Sequence, residues 1–208
     1  MKKLIFVLLL IITATAGYTQ HADVLSEQEK DAIIYMREEE KLARDVYDSM
    51  FNKWGGNPFA NIRKSEQVHM NRMEQLINTY QLKDPVAGNG DRPGVFTDML
   101  MKKYYQELIV LGSKSFPDAL KAGGKIEELD IDDLEQRIGG TRKQDIILAY
   151  TFLRNASYNH LRAFVRRLKM EGINYEPEIL SKESFDKIIA GGVPGGATDC
   201  KDCKKTEK

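Results

Sequence analysis

The chain of 208 residues has two cysteines, three histidines and no net charge, with 31 basic residues against 31 acidic ones. Two cysteines are half of the four ligands that a structural zinc site normally needs. A balanced charge gives no long-range attraction to a polyanion, so nucleic acid is not an expected partner. With 42% hydrophobic and 30% charged residues, the composition instead fits one globular domain with a buried core and extra terminal segments.

Long apolar runs are also scarce. The run from Leu4 to Ile12 is well short of the roughly 20 residues that a membrane-spanning helix needs. It follows Lys2 and Lys3 and precedes the small residues Ala14-Thr15-Ala16, which is the pattern of a secretory signal. We therefore predict a signal peptide at residues 1–20, no stable membrane span after its cleavage, and export to the periplasm or cell exterior. An uncleaved anchor is the less favoured alternative.

Residues 191–208, GGVPGGATDCKDCKKTEK, contain both cysteines, Cys200 and Cys203, and show no periodicity. Their glycine-rich and then lysine-rich composition predicts a flexible tail. In an oxidising compartment the expected state of this C-x-x-C is a local or intermolecular disulfide. A redox dithiol is less favoured because no βαβ pattern surrounds it.

Apolar residues recur with helical spacing nearly throughout residues 26–172, and no convincing strand or internal repeat interrupts them. Ser26 with Glu29 forms a capping box, and Ser115 and Thr141 are candidate caps of later helices. Caps and breakers predict four long helices, at about residues 26–52, 58–82, 115–140 and 141–171, and shorter ones at about 97–111 and 181–189.

The connection between the second and third long helices, at about residues 83–115, is long and carries its own short helix. Such a connection predicts an all-α four-helix bundle with one crossover, in which the second and third helices run parallel. We assign this domain to residues 21–190.

Each long helix has at least one polar residue near the middle of its inward seam, the line of positions spaced alternately by three and four residues. The pattern does not require Glu38 and Glu39 to face inward, since Glu38 shares a face with Lys41 and Asp45. A single polar seam residue is usually a rim residue or a hydrogen-bonded core side chain. Six at similar depth on four helices favour a shared site: Glu40, Glu66, His69, Glu127, Asp130 and His160.

Four carboxylates without counter-charge would be very unfavourable in a bundle core, and no seam lysine or arginine lies at that level. Two divalent ions would balance them. Glu66-x-x-His69 projects both side chains from one helical face toward one point, and Glu127-x-x-Asp130 does the same. Carboxylates with a minority of imidazoles suit iron or manganese. Six shared ligands leave open positions for water or dioxygen.

Several segments carry a resemblance to a known family. EEEKLARDVY resembles the first helix of the ferritin-like superfamily of di-iron carboxylate bundles, where a ligand Glu precedes a Tyr by seven residues, here Glu40 and Tyr47. SEQVHM resembles its second-helix Glu-x-x-His. IEELDIDDLE and ASYNHLRAF resemble a bacterial and archaeal branch catalogued as a domain of unknown function. The resemblance covers about residues 26–172 and implies that Tyr47 is hydrogen-bonded to a ligand or takes part in one-electron chemistry; ordinary packing stays equally open.

The fourth helix departs from the family pattern, because Ser157-x-x-His160 stands where a second Glu-x-x-His is usual. Asp130 resembles the second carboxylate that rubrerythrins place on their third helix, which would restore the count of four. An asymmetric site and a single-metal site remain alternatives. The single C-x-x-C argues against a rubredoxin-like electron donor, which needs two such pairs.

Together these features predict a secreted ferritin-like metalloprotein that binds two iron or manganese ions and reacts with dioxygen or peroxide, as a ferroxidase-like or peroxidase-like oxidoreductase. The alternative is a non-enzymatic metal-binding or structural envelope protein with the same bundle. An iron-storage cage is disfavoured by the C-terminal extension and by export, and self-association stays open.

Overall fold

The computed structural model describes residues 24–193, and all regular elements in that range are α-helices. This confirms the predicted all-α class. The predicted signal peptide and both cysteines of the predicted tail lie outside the described residues. None of the described helices is both long and apolar enough to cross a membrane. The helices are α1 (Glu27–Trp54), α2 (Phe59–Thr79), α3 (Pro85–Gly88), α4 (Met99–Gly112), α5 (Phe116–Gly139), α6 (Gln144–Met170) and α7 (Lys182–Ile189).

Most helix ends follow the predicted signals. The Ser26 capping box is present, and the Ser115 hydroxyl caps α5 by accepting from the N–H of Asp118. The predicted cap of α6 was wrong. Thr141 donates its hydroxyl to Glu29 at 2.6 Å and accepts from the N–H of Lys143, so this residue ties the connection to α1 and the helix begins only at Gln144.

The four long helices α1, α2, α5 and α6 pack against one another in pairs, and α4 packs on α1 and α5. Contacts between α1 and α2 join Arg44 to Gln67 and, further along α1, Asp48 to Arg63. The number rises along one helix as it falls along the other, so these helices are antiparallel. Tyr35–Asp133 and Tyr47–Glu127 contacts show that α1 is also antiparallel to α5. It follows that α2 and α5 run in the same direction.

Two apolar clusters fill the space between the long helices. One contains Tyr47, Phe59 and Phe164, and the other contains Ile33, Met73 and Leu153. Along α1 and α2, the predicted site residues lie between the stretches that form these two clusters, and on α5 and α6 they lie next to the first-cluster residues Ile126 and Leu161. The helices approach closely here: a Cβ on Gly123 of α5 would lie 2.3 Å from the Phe164 ring of α6. The predicted site is therefore a polar layer between two apolar ones.

Glu38 and Glu39, which the seam pattern did not require to face inward, are both buried. The segment between α2 and α5 crosses the outer face of α1, where the Glu38 carboxylate accepts the N–H groups of Thr97 at 2.6 Å and Asp98 at 2.7 Å. Seam periodicity identifies only the face that meets the other long helices, so it could not reveal this second covered face.

Candidate metal centre

Five of the six predicted ligands meet in the polar layer, one or two from each long helix. Ligating atoms of Glu40, Glu66 and His69 all lie within 4.8 Å of one another, and those of Glu66, Glu127 and His160 form a second such group. Glu66 belongs to both groups. All five side chains are buried. The geometry is thus two adjoining ligand sets that share one carboxylate.

Both imidazoles turn the same nitrogen toward the carboxylates. His69 Nδ1 lies 2.7 Å from Glu66 Oε2 and 3.1 Å from Glu40 Oε2. His160 Nδ1 lies 2.9 Å from Glu66 Oε1 and 3.4 Å from Glu127 Oε2. The two rings stack with centroids 5.6 Å apart. Each side of Glu66 therefore has one imidazole and one further carboxylate.

Several of these buried atoms have no hydrogen-bond partner among the described residues: Glu40 Oε1, Glu66 Oε1, His69 Nε2 and His160 Nδ1. The contact between His160 Nδ1 and Glu66 Oε1 is short, but the two groups are not oriented for a hydrogen bond. Buried polar atoms are normally paired, because an unpaired one loses its interactions with water and gains nothing in return. Carboxylate oxygens and Nδ1 atoms facing a common space fit divalent iron or manganese, which both ligand types suit.

The charges of the site depend strongly on one another. Burial raises the pKa of Glu40 to about 7, although His69 opposes the shift. Burial also raises the pKa of Glu127. Glu66 behaves differently: burial acts to raise its pKa, but His69 and His160 together bring it below the ordinary value.

The two histidines show the matching effect. Burial disfavours the charged imidazole of His160, but Glu66 and Glu127 outweigh it and raise its pKa to about 10. Glu66 and Glu40 likewise raise the pKa of His69 against the effect of burial. Without metal, the site near neutral pH therefore holds protons on both imidazoles, and these compensate Glu66.

Tyr47 is fully buried beside this centre. Its hydroxyl donates to Glu127 Oε1 at 2.6 Å and lies 3.3 Å from the carbonyl of Gly123. Burial and the Glu127 charge raise the pKa of Tyr47 well above its usual range, so it stays a neutral donor. The hydrogen bond orients Glu127 with Oε2 toward His160.

Asp130 does not join either ligand set. Its Oδ2 accepts the hydroxyl of Ser157, and its Oδ1 has no partner in the described part of the chain. Burial and the neighbouring charges of Glu40 and Glu127 raise the pKa of Asp130 well above its usual value. Ser157, which replaces the glutamate expected from the ferritin-like pattern, thus binds the carboxylate that was predicted to compensate for that glutamate.

The chain matches the family described as "Uncharacterized protein domain (DUF2202)" over residues 29–192. It belongs to the DUF2202 family. This agrees with the resemblance of two of its segments to a branch catalogued as a domain of unknown function. A relative, "Uncharacterized protein MJ0754" of Methanocaldococcus jannaschii, is 46% identical over 172 residues, which are 83% of this chain and 92% of the relative.

A solved structure is also similar, the "Crystal structure of hypothetical protein MJ0754 from Methanococcus jannaschii DSM 2661". The TM-score is 0.77 with 48% sequence identity, over 80% of this chain and 94% of the solved one.

In this DUF2202 chain, Glu39 is the acidic residue that sequence reasoning missed. Its side chain is 2% exposed, and neither carboxylate oxygen has a hydrogen-bond partner among residues 24–193. Burial and the charge of Asp130 raise the pKa of Glu39 well above its usual value. The sequence did contain a signal for this burial, because Glu39 lies three residues after the seam residue Met36, at the position that flanks the seam.

Proposed function

We propose that this chain is a ferritin-like four-helix bundle metalloprotein that binds two iron or manganese ions and reduces dioxygen or peroxide. The observation that carries the proposal is the convergence of buried carboxylate and imidazole atoms, several of them unpaired, around Glu66. The ferritin-like assignment is supported by four long helices with α2 and α5 running in one direction, and by Glu66-x-x-His69 on α2.

The two ligand sets suggest how the residues divide between two ions. Glu40 and His69 would hold one ion, and Glu127 and His160 the other. Glu66 would be shared by the two sets, since its two oxygens face different imidazoles. Tyr47 would keep Glu127 in place through its hydrogen bond.

When bound, two ferrous or manganous ions would supply one electron each, which with two protons would reduce one dioxygen to peroxide or one peroxide to two waters. The protein contributes position and exclusion of water: the site lies between two apolar clusters and its five ligand candidates are buried. His69 and His160 must lose their Nδ1 protons before these atoms can bind metal. We further propose export to the periplasm or cell exterior, on the strength of residues 1–20.

The test is metal binding followed by a single turnover. Anaerobic, metal-free protein is titrated with Fe²⁺ and then mixed with dioxygen or peroxide, and ferric absorbance is recorded. We expect two ions per chain and rapid oxidation. The double variant Glu66→Ala/His69→Ala should lose both, whereas Glu74→Ala, which removes a charge from the exposed side of the same helix, should keep them.

The other outcomes identify the alternatives. Two bound ions without oxidation would indicate a non-enzymatic metal-binding protein. A chain that binds neither Fe²⁺ nor Mn²⁺ would contradict the proposal and leave a structural envelope protein.

A further inference from the structure

A second line of charged groups runs between α1 and α5, outside the proposed ligand sets. Tyr35 and Glu39 lie four residues apart on one face of α1, and Asp130, Asp133 and Arg137 follow the facing side of α5. The Tyr35 hydroxyl donates to Asp133 at 3.0 Å, Arg137 pairs with Asp133 at 3.3 Å, and the Arg137 guanidinium lies over the Tyr35 ring. These contacts show that the two faces meet.

The inner part of this line, Glu39 and Asp130, has no positively charged partner among the described residues. Glu39 has no ion pair within the described chain, because the guanidinium of Arg137 is engaged by Asp133. Both oxygens of Glu39 and Oδ1 of Asp130 have no hydrogen-bond donor there. A buried acidic pair of this kind attracts a cation strongly.

The outer part of the line opens to solvent. Tyr35 and Arg137 line a surface groove of about 610 Å³, which also contains the acidic side chains of Asp31 and Asp98. Behind them Asp133 is 19% exposed. Carboxylates therefore follow one another from the groove to the metal centre, in the order Asp133, Glu39 and Asp130.

The opposite side of the molecule offers a cation no such attraction. There a groove between α2 and α6 is lined by Val68, Asn71, Arg72, Gln75 and Phe152, with the Phe152 ring edge against His69. This lining contains no carboxylate and one positive charge.

We propose that Glu39 and Asp130 form a transfer site for divalent cations, through which Fe²⁺ or Mn²⁺ passes between α1 and α5 from the surface groove to the centre around Glu66. This inference rests on the proposed function, since it supplies that centre. It assigns Glu39 and Asp130 a role in the rate of loading and none in the final number of bound ions.

Mn²⁺ is a suitable probe, because the free ion is distinguished from bound Mn²⁺ by electron paramagnetic resonance after rapid freezing. Glu39→Gln keeps the side-chain shape and removes the ionisable carboxylate. We expect the equilibrium number of bound Mn²⁺ ions to stay at two and the association rate to fall about tenfold or more, the size of effect that charge focusing in a cleft produces. Glu27→Gln, which removes a charge that is 85% exposed from the same helix, should leave the rate unchanged.

Each other outcome has a distinct meaning. A parental rate in Glu39→Gln overturns the transfer site alone, and fewer bound ions at equilibrium overturns it by making Glu39 a ligand. A parent that binds neither Mn²⁺ nor, in the anaerobic titration, Fe²⁺ overturns the proposed function. If Glu39→Gln fails to fold, as judged by its metal-free melting curve, Asp130→Asn measured in the same way decides the matter.

Discussion

The outer and inner faces of α1 both bury charged side chains, but only the outer face pairs them all. On the outer face, Glu38, Lys41 and Asp45 each have partners in the crossing segment or on α1 itself. On the inner face, Glu39 and Glu40 keep oxygens that no described residue bonds. Buried carboxylates on the two faces of one helix thus differ in whether all their oxygens are hydrogen-bonded.

The buried charges on the outer face have a structural role. Arg37 donates to the carbonyl of Met70 and pairs with Asp84, and Arg44 pairs with Asp45 and Asp91. These bonds fasten the segment between α2 and α4 onto α1. We call this the outer cluster, formed by Arg37, Glu38, Lys41, Arg44 and Asp45.

The comparison shows which observation indicates function. A buried charge alone does not, because a paired one can serve to hold two segments together. An unpaired one destabilises the metal-free fold, so a missing counter-ion is its natural explanation. The following predictions test whether the two faces differ in this way.

The largest effect is expected in the outer cluster. Asp45→Ala removes the closer of two ion-pair partners of the fully buried Lys41 and an acceptor for the N–H of Gly94. Breaking this buried pair should lower the free energy of unfolding by roughly 3–5 kcal/mol, measured by urea denaturation of the metal-free protein. The control Asp48→Ala breaks a partly exposed pair with Arg63 and should lower it by less than about 1 kcal/mol. Equal effects would contradict the assigned burial.

The next effect belongs to the inner face. Mn²⁺ at a thousandfold excess over Kd should raise the free energy of unfolding of the parent by about 4 kcal/mol per site. Glu66→Ala/His69→Ala should show no gain, and Asp45→Ala should show the full gain on a lower baseline. Melting curves that respond to Mn²⁺ in the double variant would place the metal elsewhere.

Proton release gives a smaller, pH-dependent effect. Because Glu66 and Glu127 raise the pKa of His160 to about 10, its imidazole is protonated at pH 7.5. It must release this proton to the solvent when Mn²⁺ binds. Mn²⁺ affinity should rise about tenfold per pH unit for each proton released. Calorimetry in buffers of different ionisation enthalpy measures that number, and a pH-independent affinity would refute the assignment.

The same protons affect the metal-free fold. A raised histidine pKa stabilises the folded state fully below the unfolded value of 6.5, and this contribution is lost as pH rises through about 10. The melting temperature of metal-free protein should therefore fall over that range, and the decline should be absent once Mn²⁺ is bound.

The smallest effect compares matched variants of the two faces. Burial raises the pKa of Glu40 to about 7, so its ionisation destabilises the fold as pH rises through 7 and has no such effect below 4.5. Glu40→Gln should thus raise the free energy of unfolding by about 1 kcal/mol at pH 8 and leave it unchanged near pH 4.5. Glu38→Gln should lower it by about 1 kcal/mol at pH 8, because Glu38 accepts two backbone N–H groups. If both variants changed the free energy of unfolding in the same direction, the proposed difference between the two faces would be contradicted.

The site shows how much of its composition helical periodicity can predict. Glu40, Glu66, His69, Glu127 and His160 were predicted from seam positions and the structure brings them together, because in a helix the direction of a side chain follows from its number. Asp130 was predicted by the same rule and lies beside the others, but its carboxylate binds Ser157. The rule places a side chain on a face and does not specify which atom it contacts across the gap.

By itself, the sequence determined the helices, most of their caps and the inward faces, since these depend on residues within one or two turns of each other. Only the tertiary structure decided that the crossing segment covers the outer face of α1, that Glu38 has hydrogen-bond donors and that Glu39 has none among the described residues. The partners of Glu38, Thr97 and Asp98, are 59 and 60 residues away in the chain. Whether a buried carboxylate has a hydrogen-bond donor depends on which distant segments pack against its helix, and local periodicity does not specify that packing.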